Sequence, residues 1–230
     1  MQAQINCFFV TLQIQIYSSR KSMIRNIVFD LGGVIFEIDK RQAIQRFNEA
    51  GFADAAQYLD AFAQVGIFGQ LESGAITAEQ FQQELSLLAG KEITLEGCYR
   101  GWQGYFVQLP QCNLDKVLEL RERGYRVSLL SDTNPFMMQW ARSSAFDPAG
   151  HGIEYYFDAL YLSYEMGVMK PDRRIYEMML AGEHALPDET VFIDDGPHNV
   201  AAAAALGIHT LQPQDCTAWH TMLEQLLQRV

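Results

Sequence analysis

Apolar residues along this chain follow two rhythms. Short, largely apolar runs lie at Ile27-Val28-Phe29, Arg126 to Leu130, Phe157 to Leu162, Thr190 to Ile193 and Ile208 to Leu211. Each is followed within two residues by Asp, Ser or Pro, which predicts buried parallel strands. Between them, apolar positions recur every three or four residues and predict helices. These helices span Leu114 to Arg123 (closed by Gly124), a stretch from Pro135 towards Ser144, Asp172 to Ala181, Asn199 to Leu206, and Thr217 to Arg229. Asn134 before Pro135 is a cap followed by a residue suited to the first helical position. Strands alternating with helices predict an α/β fold with a doubly wound parallel sheet. The run Ala201 to Ala205 reads as a helix face packed closely on that sheet.

From about Asp39 to Gln108 only the helical rhythm is present, at Ile44 and Phe47, Tyr58 and Phe62, and Phe81, Leu85 and Leu88. Gly66 and Gly69 punctuate it, Ser73-Gly74 marks a turn, and Thr77 with Gln80 forms a capping box. No strand is expected there. The organisation is therefore a core built from residues 23–36 and 109–230, with residues 37–108 as a small helical cap inserted after the first strand. Residues 1–22 stand apart. Leu12-Gln13-Ile14-Gln15-Ile16 alternates like an edge strand. Cys7 to Tyr17 is too short to span a membrane, and no basic residue precedes it as in a signal peptide. Met23 is an alternative natural start, and residues 1–22 are assigned no function.

The 230 residues suffice for one sizeable core plus a small second unit, and 49% hydrophobic with 20% charged residues is ordinary for a globular chain. A net charge of −11 argues against nucleic acid or an anionic membrane as partner. Any phosphate site must then be built locally, from a cation, a lysine or backbone N–H groups. Cys7, Cys98, Cys112 and Cys216 form no C-x-x-C pair, which fits free thiols in a reducing, cytoplasmic setting.

Candidate chemistry falls at strand tips. Asp30 follows the first strand, and Ser131-Asp132-Thr133-Asn134 follows the second. Lys170 lies in the loop after the third, and Asp194-Asp195 follow the fourth. Each has an ordinary structural role when taken singly: a turn cap, a strand end, an exposed lysine, a solvated turn. Parallel topology brings all four to one sheet edge, where open α/β sheets bind ligands. Carboxylate oxygens with a backbone carbonyl and waters suit Mg²⁺. A Ser hydroxyl at a helix N-terminus suits a phosphate oxygen, and a lysine neutralises nucleophile and phosphoryl group together. A carboxylate nucleophile forming an aspartyl-phosphate is one solution for phosphoryl transfer.

The four stretches in this order are Phe29-Asp30-Leu31-Gly32-Gly33-Val34, Leu130-Ser131-Asp132-Thr133-Asn134, Met169-Lys170-Pro171-Asp172 and Phe192-Ile193-Asp194-Asp195-Gly196. They resemble the motifs of the haloacid dehalogenase-like hydrolase superfamily over residues 24 to about 211, and the helical insert resembles that family's helical cap. The resemblance implies a Rossmann-like core and a Mg²⁺-dependent phosphatase acting on a small phosphorylated metabolite. It implies Asp30 as nucleophile, and Asp30, the Gly32 carbonyl and Asp195 as metal ligands, with Asp194 in support. Ser131 and the groups around Gly33, Asp132, Thr133 and Asn134 would hold phosphoryl oxygens, and Lys170 would pair with Asp30 and the phosphate.

One position departs from the pattern. Phosphatases of this family usually carry an acid–base Asp two residues after the nucleophile, where this chain has Gly32. Sugar-1-phosphate phosphatases of the family share the D-x-G start and the Asp-Asp pair, and the chain resembles those most. Asp194, Glu37, Asp39 or a solvent chain are the expected substitutes for the missing acid. A second reading is a catalytically weak relative that binds a phosphorylated metabolite without efficient turnover. Dehalogenation is disfavoured by Asp194-Asp195, because dehalogenases resemble metal-free sites. Phosphonatase chemistry needs a cap lysine, and the cap holds only Lys40 and Lys91. His198, Trp102, Tyr105 and Phe68 are weaker candidates for the site.

Overall fold

The computed structural model describes residues 23–59 and 64–229. The expected edge strand at Leu12–Ile16 and the position of Phe62 lie outside them. Five parallel strands form the central sheet: β1 (Asn26–Phe29), β4 (Arg126–Ser131), β5 (Ala159–Leu162), β6 (Thr190–Ile193) and β7 (His209–Leu211), in spatial order β5-β4-β1-β6-β7. β1 is central and buried along its whole length. Its order against β4 and β6 places a topological switch point at the first strand, as in doubly wound sheets.

Among the described residues, four α-helices lie in the expected insert between β1 and β4: α1 (Lys40–Ala50), α2 (Gly66–Glu72), α3 (Ala78–Ala89) and α4 (Leu95–Trp102). Asp39 caps α1 by accepting from the Arg41 N–H, and the Thr77–Gln80 capping box opens α3 as expected. The helices close on an aromatic cluster. Phe68 sits edge-on to Phe47 at 5.1 Å and to Phe81 at 4.9 Å, and Trp102 stands 5.5 Å from Phe68. Gly101 lets α4 approach α1, because a Cβ there would lie 2.5 Å from the Phe47 ring. Phe81 also reaches Phe136 of the core at 5.9 Å, so the apolar interior runs continuously from insert to sheet. Truncating Phe68 to alanine would cost about 3–5 kcal/mol.

Several expectations need correction. The insert is not wholly helical: β2 (Glu37–Ile38) and β3 (Phe106–Gln108) pair antiparallel where the chain leaves and rejoins the core. Two- and three-residue strands are too short to show a period. Gly66, at φ +59°, opens α2 and marks its boundary, whereas Gly69 lies inside the helix rather than breaking it; a Cβ at Gly69 would meet the Gln64 carbonyl at 2.5 Å. Leu88 is exposed. Of the alanine run only Ala203 is buried, so it is not a packed face.

After β3 the core continues with α5 (Gln111–Glu122) and α6 (Pro135–Ala141), the latter ending short of Ser144. A single-turn helix α7 (Ser163–Met166) occupies part of the expected loop before Lys170. α8 (Arg173–Glu183), α9 (Pro197–Ala204) and α10 (Trp219–Leu227) complete the fold. Among the described residues no helix is long and apolar enough to cross a membrane.

Candidate active site

Parallel register fixes the site. Phe29 pairs with Leu129 on one side and Ile193 on the other, so Asp30, Ser131 and Asp194 emerge at one edge. Lys170 arrives from the segment after α7. Its Nζ donates to Asp194 Oδ2 at 2.7 Å and to the Leu130 carbonyl at 3.2 Å, and lies 2.8 Å from Asp30 Oδ1. These three acceptors match the three N–H groups of the ammonium. Burial works against the lysine's charge, but Asp194, Asp30 and Asp132 outweigh it and raise its pKa. Lys170 is therefore cationic at neutral pH.

Negative charge still exceeds positive. Burial pushes Asp30 up to about 8 against the pull of Lys170, with Asp194 and Asp195 adding to the rise. Burial, then Asp194, pushes Asp195 up to about 6. One oxygen from each of Asp30, Asp194 and Asp195 lies within 4.8 Å of the others. Clustered hard oxygen donors, with no thiol or imidazole among them, fit Mg²⁺ and lack its charge. Asp194 is already engaged: it accepts from the Gly196 N–H at 2.7 Å and the Asn199 amide at 3.1 Å as well as from Lys170. That leaves Asp30 and Asp195 as the carboxylates with free lone pairs for a cation.

A cleft opens over these residues. Gly32, Ser131, Asp132, Thr133 and Asn134 border it, together with Trp102, Tyr105 and Gln64 from the insert. The Asp132 carboxylate, which would repel a phosphate, turns to accept the Lys170 backbone N–H at 3.0 Å. Burial, partly offset by Lys170, raises its pKa to about 6. Asn134 Oδ1 caps α6 by accepting from Phe136 N and Met137 N.

Two residues expected near the phosphate have their backbone N–H groups engaged within the protein. Gly33 does not border the cleft, and its N–H donates to the Phe36 carbonyl at 2.8 Å. Glycine stands there because φ is +75° and a Cβ would lie 2.3 Å from Asp195 Oδ2. The Thr133 N–H is spent on Ser163 Oγ at 3.0 Å. His198 is exposed, and Phe68 packs in the aromatic cluster; neither borders the cleft.

Residues 24–207 match the haloacid dehalogenase-like hydrolase family. The chain belongs to that family. This haloacid dehalogenase-like hydrolase is 43% identical over 205 residues to a D-ribitol-5-phosphate phosphatase of Bacteroides thetaiotaomicron, covering 89% of this chain and 99% of the relative. A HAD-like family hydrolase from Porphyromonas gingivalis superposes with a TM-score of 0.85 at 41% identity, covering 90% of this chain and 98% of that one. A HAD family enzyme from B. thetaiotaomicron, solved with magnesium and inorganic phosphate, superposes with a TM-score of 0.79 at 35% identity, covering 86% of this chain and 98% of that one.

The hydrolase also places in its cleft a residue that the motifs do not mark. Glu72, at the end of α2, is 7% exposed and borders the cleft from the insert. Burial, then Asp132, raises its pKa well above the usual carboxylate range. Its signal in the sequence is positional: Phe68, Leu71 and Glu72 share one helix face, and the first two are fully buried. Of the acids expected to replace the missing one, Asp194 lies in the cluster but is committed to Lys170, Gly196 and Asn199. Glu37 is exposed and accepts from Gln108, Asp39 pairs with Arg41, and neither of these two borders the cleft.

Proposed function

We propose that the chain is a Mg²⁺-dependent phosphatase that hydrolyses a small polyol or sugar phosphate monoester through an aspartyl-phosphate. The observation that carries this reading is the cluster in which Lys170 bridges Asp30 and Asp194 with Asp195 beside them. Asp30 attacks phosphorus, and Lys170 offsets charge on the nucleophile and the phosphoryl oxygens. Ser131 Oγ donates to one of those oxygens. Asp30, Asp195 and the Gly32 carbonyl would hold Mg²⁺, and Asp194 positions Lys170. Bound Mg²⁺ supplies the positive charge that lets an anionic nucleophile approach an anionic phosphate.

The helical segment 37–108 acts as a cap that walls the cleft and selects the organic part of the substrate. One buried donor in that wall suits a hydroxylated substrate. Trp102 Nε1 is shielded from solvent without a hydrogen-bond partner. A buried unpaired donor costs about 1–3 kcal/mol, which a substrate hydroxyl recovers by accepting from it. The relative that acts on D-ribitol 5-phosphate supports this substrate class. A cytoplasmic setting is supported by the free thiols of Cys98, Cys112 and Cys216.

Phosphate release from D-ribitol 5-phosphate and a panel of sugar phosphates tests the proposal, with EDTA and an Asp30→Asn variant as controls. Turnover that requires Mg²⁺ and Asp30 supports it. The second reading, a binding protein with little turnover, is favoured by Gly32. It predicts Mg²⁺-dependent ligand binding at the cleft with no release above the Asp30→Asn control.

A further inference from the structure

Four carboxyl groups border the cleft: Asp30, Glu72, Asp132 and Asp195. Asp30 faces Lys170, Asp132 accepts the Lys170 backbone N–H, and Asp195 sits in the three-carboxylate cluster. Glu72 stands apart from these, contributed by the insert. Its neighbour is the Asn134 amide. Because Asn134 Oδ1 already takes two backbone N–H groups at 3.1 and 3.2 Å, its orientation is fixed and Nδ2 is left over. That Nδ2 favours the charged form of Glu72, and Lys170 acts the same way. Asp132 and Asp30 oppose it, and burial opposes it most. A carboxyl buried among other carboxylates is stable as the neutral acid, and it can give up its proton where a donor and a lysine wait to meet the anion.

The position where the family's phosphatases carry their second Asp is crowded in this chain. A Cβ on Gly32 would lie 3.2 Å from Ile38 Cγ2, so Ile38 would have to give by a few tenths of an ångström to admit a side chain there.

We propose that Glu72 is the acid–base residue of this phosphatase, acting from the cap in place of the carboxylate absent at Gly32. The inference rests on the phosphatase reading above. Asp30 Oδ forms a bond to phosphorus as the bond from phosphorus to the leaving oxygen breaks. The Glu72 proton passes to that oxygen, and the alcohol departs. The Glu72 carboxylate then takes a proton from water, whose oxygen attacks the phosphorus of the aspartyl-phosphate. Inorganic phosphate leaves, Asp30 is released as carboxylate, and Glu72 is again protonated. Asn134 steadies the Glu72 anion between the two steps.

The test compares Glu72→Gln with the unaltered enzyme on two substrates. D-Ribitol 5-phosphate has an alkoxide leaving group that needs a proton; p-nitrophenyl phosphate has one that departs without it. With the ribitol ester, kcat is expected to fall about 10²–10⁴-fold. With p-nitrophenyl phosphate, a burst of p-nitrophenol close to one per enzyme should persist, followed by slow turnover as the aspartyl-phosphate waits for its base. Glu72→Asp should recover part of the lost kcat. An unchanged kcat with a raised KM would make Glu72 a substrate-holding residue and overturn the proposal, as would loss of the burst in a variant whose melting temperature still rises with Mg²⁺. If the unaltered enzyme releases no phosphate from either ester, the phosphatase reading fails instead.

Discussion

The carboxylate of Asp194 and the ammonium of Lys170 lie 2.7 Å apart, both sealed from solvent. Breaking one side of a buried pair leaves an uncompensated charge and costs about 3–5 kcal/mol. Asp194→Asn keeps the shape and removes the charge. It should lower stability by about that amount, read as a shifted urea midpoint. It should also lower kcat, because Lys170 then follows Asp30 alone. Unchanged stability would mean that Asp30 and Asp132 balance the lysine by themselves.

Gly32 and Ile38 make a second, paired prediction. Gly32→Asp alone meets Ile38 Cγ2 at 3.2 Å from its Cβ, so the carboxylate cannot settle without Ile38 shifting. Adding Ile38→Ala opens the space. In an otherwise unaltered enzyme the pair should change hydrolysis of an alkyl phosphate little, since Glu72 already moves the proton. In a Glu72→Gln background the same pair should recover a measurable part of the roughly 10²–10⁴-fold loss in kcat. No recovery, in a variant that still melts cooperatively and responds to Mg²⁺, would place the proton elsewhere.

Metal removal should affect stability as well as activity. The folded-state pKa values of Asp30 and Asp195 are raised to about 8 and about 6. Stability from a raised carboxyl is fully present below its unfolded value near 4 and is lost as pH rises through the folded value. The metal-free protein therefore loses stability between about pH 4 and 8 through these two groups. Mg²⁺ binds the deprotonated forms and reverses that loss. At a hundredfold excess over Kd it should add about 2.7 kcal/mol. The Mg²⁺-induced rise in melting temperature should be larger at pH 8 than at pH 5.5, and EDTA should abolish both it and phosphate release.

The strand-tip residues were legible in the sequence because each ends a short apolar run at a residue that cannot continue it. Asn134 and Pro135 marked the start of α6 for the same local reason. Glu72 was not legible. Its burial comes from α2 docking its Phe68–Leu71–Glu72 face inward, a tertiary event, and a glutamate in a periodic segment reads as solvent-facing. The β2–β3 pair was hidden because its partners lie about seventy residues apart and are too short to alternate. Gly33 and Gly69 carried meaning that spacing cannot show: one makes room for Asp195, the other for the Gln64 carbonyl. The departure at Gly32 was visible from the start, but the methyl group that crowds the position belongs to Ile38, six residues along.

The C-terminal helix supports the loop that follows the nucleophile, and acid should loosen it. Asn113 is fully buried and donates to the Ile35 carbonyl at 2.9 Å and the Cys216 carbonyl at 2.7 Å. Trp219 Nε1 donates to the Val34 carbonyl at 3.1 Å. With its amide so committed, Asn113 presents Oδ1 as an acceptor, and His220 Nε2, 2.7 Å away, must carry the hydrogen. The neutral ring satisfies this bond. Burial, then the nearby Lys116 charge, lowers the His220 pKa below its ordinary value near 6.5. The unfolded chain therefore takes up a proton first as pH falls, and stability declines from about pH 6.5 towards the lower folded value. His220→Gln keeps a donor for Asn113 Oδ1 and removes the titration. Melting temperatures recorded from pH 7.5 to 5.5 should fall less steeply for the variant than for the unaltered protein, and parallel slopes would show that His220 takes no part in the acid response.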